Sequence, residues 1–211
     1  MLKSFIRIFV CLAVLSGVYD LAAESRKMKR LSENQRNSRK NCDDNLNALY
    51  NALRNYADMN NGQLPDKDNL AGLQELLQHG VSLDDLACPS YKGAKYKNDD
   101  KKKKKKIAFR EENSAYIYFG GINLTDTRQN IPKLIVMCDK FWETKNDHFN
   151  ILTADGKVEA VKQEKSEKKI SAVTDLIDYL QKKYKYPQDI YRALRLKAEN
   201  IDSELRRNRK K

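Results

Sequence analysis

The sequence predicts an α+β domain in which a long N-terminal helix packs on a small antiparallel β-sheet and a C-terminal helical extension follows. Three observations predict this class: apolar residues recur at helical spacing from residue 42, consecutive strand-like runs lie between residues 115 and 161, and charged helical composition returns after residue 163. Because 33% of the 211 residues are charged, we expect one modest core with polar extensions.

The N-terminal residues are typical of an export signal. Lys3 and Arg7 form a basic start, residues 8–19 are mostly apolar, and small residues favour cleavage after Ala23. A membrane span needs about 20 apolar residues, so this run favours cleavage over anchoring. We therefore expect an exported protein, periplasmic or in the outer cell envelope, with association to the inner membrane through the N-terminal segment as the alternative.

The long helix is predicted by its apolar face and by a defined end. Asn61 and Gly62 tolerate the left-handed backbone that ends helices, and Pro65 prevents continuation. The apolar or small residues that share one face are Cys42, Leu46, Leu49, Tyr50, Leu53, Tyr56 and Ala57. A second, shorter helix is predicted over residues 69–79, and Gly80 ends it.

The sheet is predicted from runs rich in Ile, Val, Tyr and Phe at residues 115–119, 133–138 and 149–154. Asp155 and Gly156 join the third run to a fourth, residues 157–161. An Asp-Gly pair between two such runs is a strong signal for a two-residue hairpin turn, in which both turn residues have positive φ.

The cysteines predict one disulfide and one buried thiol. Removal of the signal would leave three cysteines, an odd number in a compartment where disulfides form. Cys88 and Cys138 lie at loop and strand edges, whereas Cys42 lies on the apolar helix face, where a thiol packs as a small hydrophobe. We therefore predict that Cys88 pairs with Cys138. No C-x-x-C spacing is present, so a zinc site is not expected.

The C-terminal region carries two amphipathic stripes. The first runs from Ile170 to Leu180 and the second from Ile190 to Leu205, and Pro187 fits the first turn of the second helix. Stripes at this spacing are equally compatible with packing inside the chain and with binding of a partner.

The chain therefore divides into four predicted parts. They are a signal peptide or short N-terminal hydrophobic segment (1–23), a charged helical stem (24–40), the α+β domain (41–163, with a Lys-rich loop at 91–106), and the C-terminal helical extension with its basic tail (164–211).

Several ordered motifs run through the α+β domain. Their residues are Cys42, Asn45, Leu46, Tyr56, Asn61, Gly62, Pro65, Pro89, Gly120, Gly121, Asp155 and Gly156. Together they resemble the type II secretion pseudopilin-like (type IV pilin-like) proteins of the Planctomycetes and Lentisphaerae kind. The resemblance implies a pilin-like fold and a non-enzymatic structural or interaction role, with other subunits of a secretion or pilus-type assembly as partners.

The N-terminal region departs from that family pattern. The chain has neither a Gly directly before Phe5 or Phe9 nor a Glu before Glu24, whereas a prepilin leader ends in Gly before Phe and is followed by a membrane helix with an early Glu. The resemblance therefore extends to the globular part and does not imply assembly into a filament.

The sequence predicts no enzyme and no cofactor. Its acidic residues and His148 form no spaced catalytic constellation, and no small-molecule substrate is expected. Calcium is the one cofactor that the acidic residues suggest, and its ligands would be Asp139, Asp147 and Asp155. Because no spaced D-x-D-x-D loop is present, Asp155 is interpreted as a turn residue.

The positive charge supports an alternative function. The net charge is +12, and much of the excess lies at residues 26–40, 101–106 and 206–211. Such charge suits polyanions, so the alternative is a basic cell-envelope adaptor that binds nucleic acid, polysaccharide or an anionic membrane surface. Its binding would weaken steeply with salt.

Overall fold

The structure is a computed structural model that describes residues 42–83, 85–88, 114–125, 131, 133–142, 148–162 and 169–208. All of them belong to one compact unit, Asn41–Lys211. The predictions for the export signal, the helical stem, Pro89, Asp147 and the Lys-rich loop fall on residues that lie outside the described ones.

The described residues form an α+β fold with four helices and one four-stranded antiparallel sheet. The helices are α1 (42–59), α2 (Asn69–Gln78), α3 (Val173–Tyr184) and α4 (Gln188–Asn208). The strands are β1 (Tyr116–Tyr118), β2 (Ile135–Asp139), β3 (His148–Thr153) and β4 (Val158–Lys162). Their order in the sheet follows the chain, β1-β2-β3-β4, and every neighbouring pair is antiparallel. This confirms the predicted class and the consecutive strands.

Helix α1 ends where the sequence predicts. Asn61 and Gly62 adopt φ angles of 53° and 81°, and the Gly62 amide donates to the Ala57 carbonyl at 2.7 Å. A Cβ at Gly62 would lie 2.3 Å from the Thr125 hydroxyl oxygen, so this position needs glycine for space as well as for its backbone angle. The apolar face of α1 is buried in the common core, with Leu46 and Leu49 fully inaccessible to solvent.

The β3–β4 hairpin is present, but its turn differs from the predicted one. Only Gly156 has positive φ, at 80°; Asp155 does not. The Gly156 amide donates to the Thr153 carbonyl and the Thr153 amide to the Lys157 carbonyl, at 2.9 and 3.0 Å, which defines a three-residue turn. The Asp155 carboxylate accepts the Thr153 hydroxyl, and this bond favours the longer turn over the two-residue one.

Helix α1 also packs on this turn. A Cβ at Gly156 would lie only 2.5 Å from Cε1 of the Tyr50 ring. The Tyr50 hydroxyl donates to the Ala154 carbonyl at 3.2 Å. The close approach of this ring explains why residue 156 lacks a side chain.

Both faces of the sheet are covered, because every residue of β1, β2 and β3 is buried. Tyr116 lies opposite Asp139 on one face, and both side chains feel the charge of Asp43 in α1. Glu159 projects from the opposite face, where Lys183 and Tyr184 of α3 contact it. The sheet therefore lies between α1 and α3.

The C-terminal helices pack inside the chain, which decides between the two alternatives that their stripes left open. Tyr186 donates its hydroxyl to the Lys133 carbonyl at 2.7 Å, and Lys197 of α4 pairs with Asp68 at 3.3 Å. The apolar faces of both helices belong to the same hydrophobic core as the sheet; their buried residues are Val173, Leu176, Ile177, Leu180, Leu194, Ala198, Ile201 and Leu205.

The N-terminus of α3 is capped from a distance. The residue before the helix is Ala172, whose side chain cannot accept a hydrogen bond. Asp202 of α4 takes that role and accepts the amides of Val173 and Thr174 at 2.9 and 3.1 Å. Helix α4 therefore supplies part of the local structure of α3.

Candidate functional site

The disulfide joins Cys42 to Cys88, with a Cα–Cα distance of 5.3 Å, and Cys138 is a buried free thiol. The predicted Cys88–Cys138 pair is therefore wrong. Cys138 pairs across the sheet with Ile117 and Ile151, on the face opposite to Tyr116 and α1. Cys88, by contrast, lies beside the first described turn of α1, because the Asn45 amide donates to the neighbouring Ala87 carbonyl at 2.7 Å.

The motif residues of α1 and of the segment after it anchor chain segments to one another. Tyr56 donates its hydroxyl to Glu75 of α2. The Pro65 carbonyl accepts both the Tyr118 hydroxyl, at 3.0 Å, and the Gly121 amide, at 2.8 Å. These contacts tie α1, α2 and β1 together.

Gly120 belongs to the same set of anchors. Its amide donates to the Asp68 carboxylate at 2.7 Å, and a Cβ at this position would lie 2.5 Å from the Lys67 carbonyl oxygen. Close packing against a neighbouring segment of backbone therefore requires glycine here.

The first unusual chemical group is a buried carboxylate at the end of β2. Asp139 is 6% exposed; one of its oxygens accepts the Asn150 amide at 2.8 Å and the other, Oδ1, has no hydrogen-bond partner. Burial raises the pKa of Asp139 to about 7, the Asn150 amide opposes the shift, and the charge of Asp43 adds to it. The carboxyl is therefore partly protonated near neutral pH.

Tyr116 lies opposite Asp139 and shares its unusual surroundings. Its hydroxyl is buried near the Asn45 side chain but makes no hydrogen bond of normal geometry. Burial, and then the charge of Asp139, raise the pKa of Tyr116 well above its ordinary value. The Tyr116 hydroxyl and one Asp139 oxygen are thus both buried without a hydrogen-bond partner, which costs stability.

The second group is the Glu159 network on the opposite face. Lys133, Lys183 and Tyr184 all bond to this carboxylate. Burial alone would raise the pKa of Glu159, but the hydrogen bonds from Lys133, Tyr184 and Lys183 outweigh it and lower the pKa to about 2. The network fastens α3 to β4 and to the residues before β2.

Further lysines lie just before β4, at its end and at the end of α3, and together with those that bind Glu159 we name them the basic edge. Lys162 projects from the sheet face opposite to Glu159. Asp155 pairs with Lys157 at 3.1 Å, Lys162 is exposed at the end of β4, and Lys182 and Lys185 are exposed beside the Lys183–Tyr184 pair. The basic edge comprises Lys133, Lys157, Lys162, Lys182, Lys183 and Lys185, and its two carboxylates are Asp155 and Glu159. Positive charge therefore predominates here.

The calcium alternative finds no support among the described residues. Asp155 is used by the turn, as predicted, since it accepts the Thr153 hydroxyl and pairs with Lys157. Within the described ranges, no three His, Cys, Asp or Glu side chains come together in a way that could hold a metal ion.

A small pocket of about 200 Å³ lies beside the start of α3, away from both carboxylate groups. Its lining residues are Trp142, Ser171, Ala172, Asp202, Leu205 and Arg206. Asp202, the carboxylate among these lining residues, already accepts the first amides of α3. The pocket therefore brings together no set of groups arranged for catalysis.

None of the helices that the structure describes is long and apolar enough to span a bilayer. Comparison with known proteins gives no match: no family model, no curated protein and no solved structure matches this chain.

Sequence reasoning missed three of the residues that matter here: Asp139 as an isolated buried acid, Glu159 as a network centre and Asp202 as a remote cap. Only the first left a local signal, an acidic residue directly after the apolar run of β2. The partners of the other two lie 24 to 29 residues away along the chain, and spacing alone does not indicate such pairs.

Proposed function

We propose that the protein is a non-enzymatic, exported, pilin-like protein that acts through contacts with other subunits of a secretion or pilus-type assembly. The motif resemblance motivates this function. The arrangement of α1 against an antiparallel sheet of consecutive strands supports it, because such an architecture is what the resemblance implies.

The observation that carries the proposal is the Cys42–Cys88 disulfide, which closes a loop with a sequence separation of 46 residues. Disulfides persist in oxidising compartments and are rare in the reducing cytosol. Both sulfurs are buried, at 2% and 5% exposure of their residues, so the bond belongs to the core and not to a redox-active surface.

Fractionation of cells that express the full chain tests export. We expect the protein in the envelope fraction, with a first residue of Glu24 by N-terminal sequencing and with Cys42 and Cys88 joined in non-reducing peptide maps. A variant with Ala23→Arg, which blocks cleavage, is the matched control and should retain residues 1–23. A cytoplasmic protein with all its thiols reduced would contradict the proposal.

A second function, a basic adaptor for polyanions, is favoured by the basic edge. It predicts binding to inorganic polyphosphate that weakens steeply between low and physiological salt. Charge reversal at Lys182 and Lys185 should reduce that binding, and binding indifferent to salt would exclude this function.

A further inference from the structure

Strand β4 is an edge strand with one side open. It pairs with β3 on one side, and no described strand pairs with its other side. Its residues are mostly half-buried or exposed, whereas those of β1, at the other end of the sheet, are all buried. Part of the outer edge of β1 is already occupied, because the Ser114 hydroxyl accepts the Tyr116 amide at 3.0 Å and donates to the Tyr116 carbonyl at 3.1 Å. Among the described strands, β4 therefore has the accessible edge.

The hydrogen-bond pattern of the hairpin shows which backbone groups of β4 face outward. The Lys157 carbonyl accepts from Thr153, so residue 157 directs its backbone groups toward β3. In an antiparallel pair this direction alternates along the strand, so Glu159 and Val161 also face β3. The backbone N–H and C=O groups of Val158, Ala160 and Lys162 therefore point away from the sheet.

The side chains along this edge leave room for another strand. Ala160, at its centre, is exposed and small, and Lys162 is exposed. An unpaired row of backbone groups of this kind is a template for strand addition, in which backbone hydrogen bonds give affinity and flanking side chains give specificity.

The charges beside this edge bear on which chain would pair with it, a second copy of the protein or an acidic segment of another one. An antiparallel pair of two copies, centred on Ala160, would place each Lys162 opposite Val158 of the other copy and so would offer neither lysine an opposite charge. An acidic segment would instead meet Lys157 and Lys162, which are exposed just before β4 and at its end.

We propose that β4 is a docking edge for an extended acidic segment of a partner protein, which adds a fifth strand to the sheet. The proposal deepens the protein-contact function above and rests on it, since it names the surface and the class of partner. It is independent of the localisation result, because binding is measured with purified protein.

The test measures fluorescence anisotropy of a labelled eight-residue peptide of alternating Glu and Thr, titrated with the purified full chain. We expect saturable binding that is absent for the same peptide with Lys in place of Glu. Ala160→Pro removes one outward donor without removing a bond to β3 and should weaken binding about tenfold. Ala160→Thr keeps the donor and is the matched control, with binding near that of the unchanged protein.

Two further measurements complete the test. Amide hydrogen exchange of the unchanged protein should show peptide-dependent protection at residues 158, 160 and 162, which covers the case in which Ala160→Pro does not fold. Lys162→Glu should also weaken binding.

Equal binding by the Ala160→Pro and Ala160→Thr variants would overturn strand addition, as would peptide-dependent protection at other residues. Equal competition by inorganic polyphosphate against both variants would indicate a charged surface only. Dimers seen in sedimentation and lost in Ala160→Pro would assign the edge to a second copy instead.

Discussion

Asp139 and Glu159 are both carboxylates on the sheet, but they lie on opposite faces and in opposite electrostatic surroundings. Asp139 is buried beneath α1 with one amide donor and a nearby acid, and its pKa is raised to about 7. Glu159 is held by two lysines and a tyrosine, and its pKa is lowered to about 2. The same carboxylate group therefore opposes folding in one place and supports it in the other, because among the described residues cations act on Glu159 and not on Asp139.

The largest expected effect comes from removing the Cys42–Cys88 disulfide. Cys88→Ser should lower the free energy of unfolding by about 4 kcal/mol, since the disulfide restricts a loop of this length in the unfolded chain. Urea denaturation at pH 7 measures the loss. Cys138→Ser keeps the disulfide and is the control for the pairing; loss of the disulfide in this variant would contradict the assignment of Cys42 to Cys88.

The next effect is the pH dependence caused by Asp139. Its folded-state pKa lies above the unfolded value, so the folded protein binds more protons between about pH 4 and 7, and stability falls as pH rises through this window. Asp139→Asn keeps an acceptor for Asn150 and removes the titration. The variant should therefore be more stable than the unchanged protein at pH 8, by about 3 kcal/mol.

Urea denaturation of both proteins at pH 4 and pH 8 measures this difference. The advantage of Asp139→Asn should disappear at pH 4, where the carboxyl of the unchanged protein is protonated. A variant less stable than the unchanged protein at pH 8 would show that Asp139 is ionised and compensated there.

Glu159 should show the opposite sign. Its folded-state pKa is lowered, so its contribution is present above the unfolded value near 4.5 and is lost as pH falls toward 2. Glu159→Gln should cost about 1–2 kcal/mol at pH 7, a figure reduced for solvent screening because the side chain is 23% exposed. Thermal melts at pH 7 and pH 2.5 check it, and a cost that is equal at both pH values would exclude the ionic explanation.

The smallest effect isolates one donor of that network. Tyr184→Phe removes the hydroxyl that donates to Glu159 and should cost about 1 kcal/mol at pH 7. The loss of stability on acidification should also begin at a higher pH, because the Glu159 carboxylate then has one hydrogen-bond donor fewer. Tyr179→Phe, on the same helix, is the matched control; an equal loss in both variants would attribute the effect to packing.

Local chemistry explains which parts of this fold the sequence predicts. The end of α1 at Asn61 and Gly62 and the hairpin at Gly156 were correctly predicted, because backbone angles at these positions depend on the residues themselves. The type of turn was not, since a bond between Thr153 and Asp155 favours the longer form.

Partners distant in sequence explain the failures. The choice of Cys42 over Cys138 as the partner of Cys88 depends on which face of β2 carries Cys138, and one residue of register reverses that face. The buried state of Asp139 and the gathering of lysines around Glu159 likewise depend on how α1 and α3 cover the sheet. No local pattern specifies these arrangements.

The capping of α3 by Asp202 has a consequence for how this chain acquires its structure. The first amides of α3 receive their acceptor from a residue 28 to 29 positions later in the chain. During synthesis α3 therefore stays incompletely stabilised until α4 has emerged and folded back. The two helices should then form as one cooperative unit, and a fragment ending before residue 202 should lose order in α3 as well as in the missing segment.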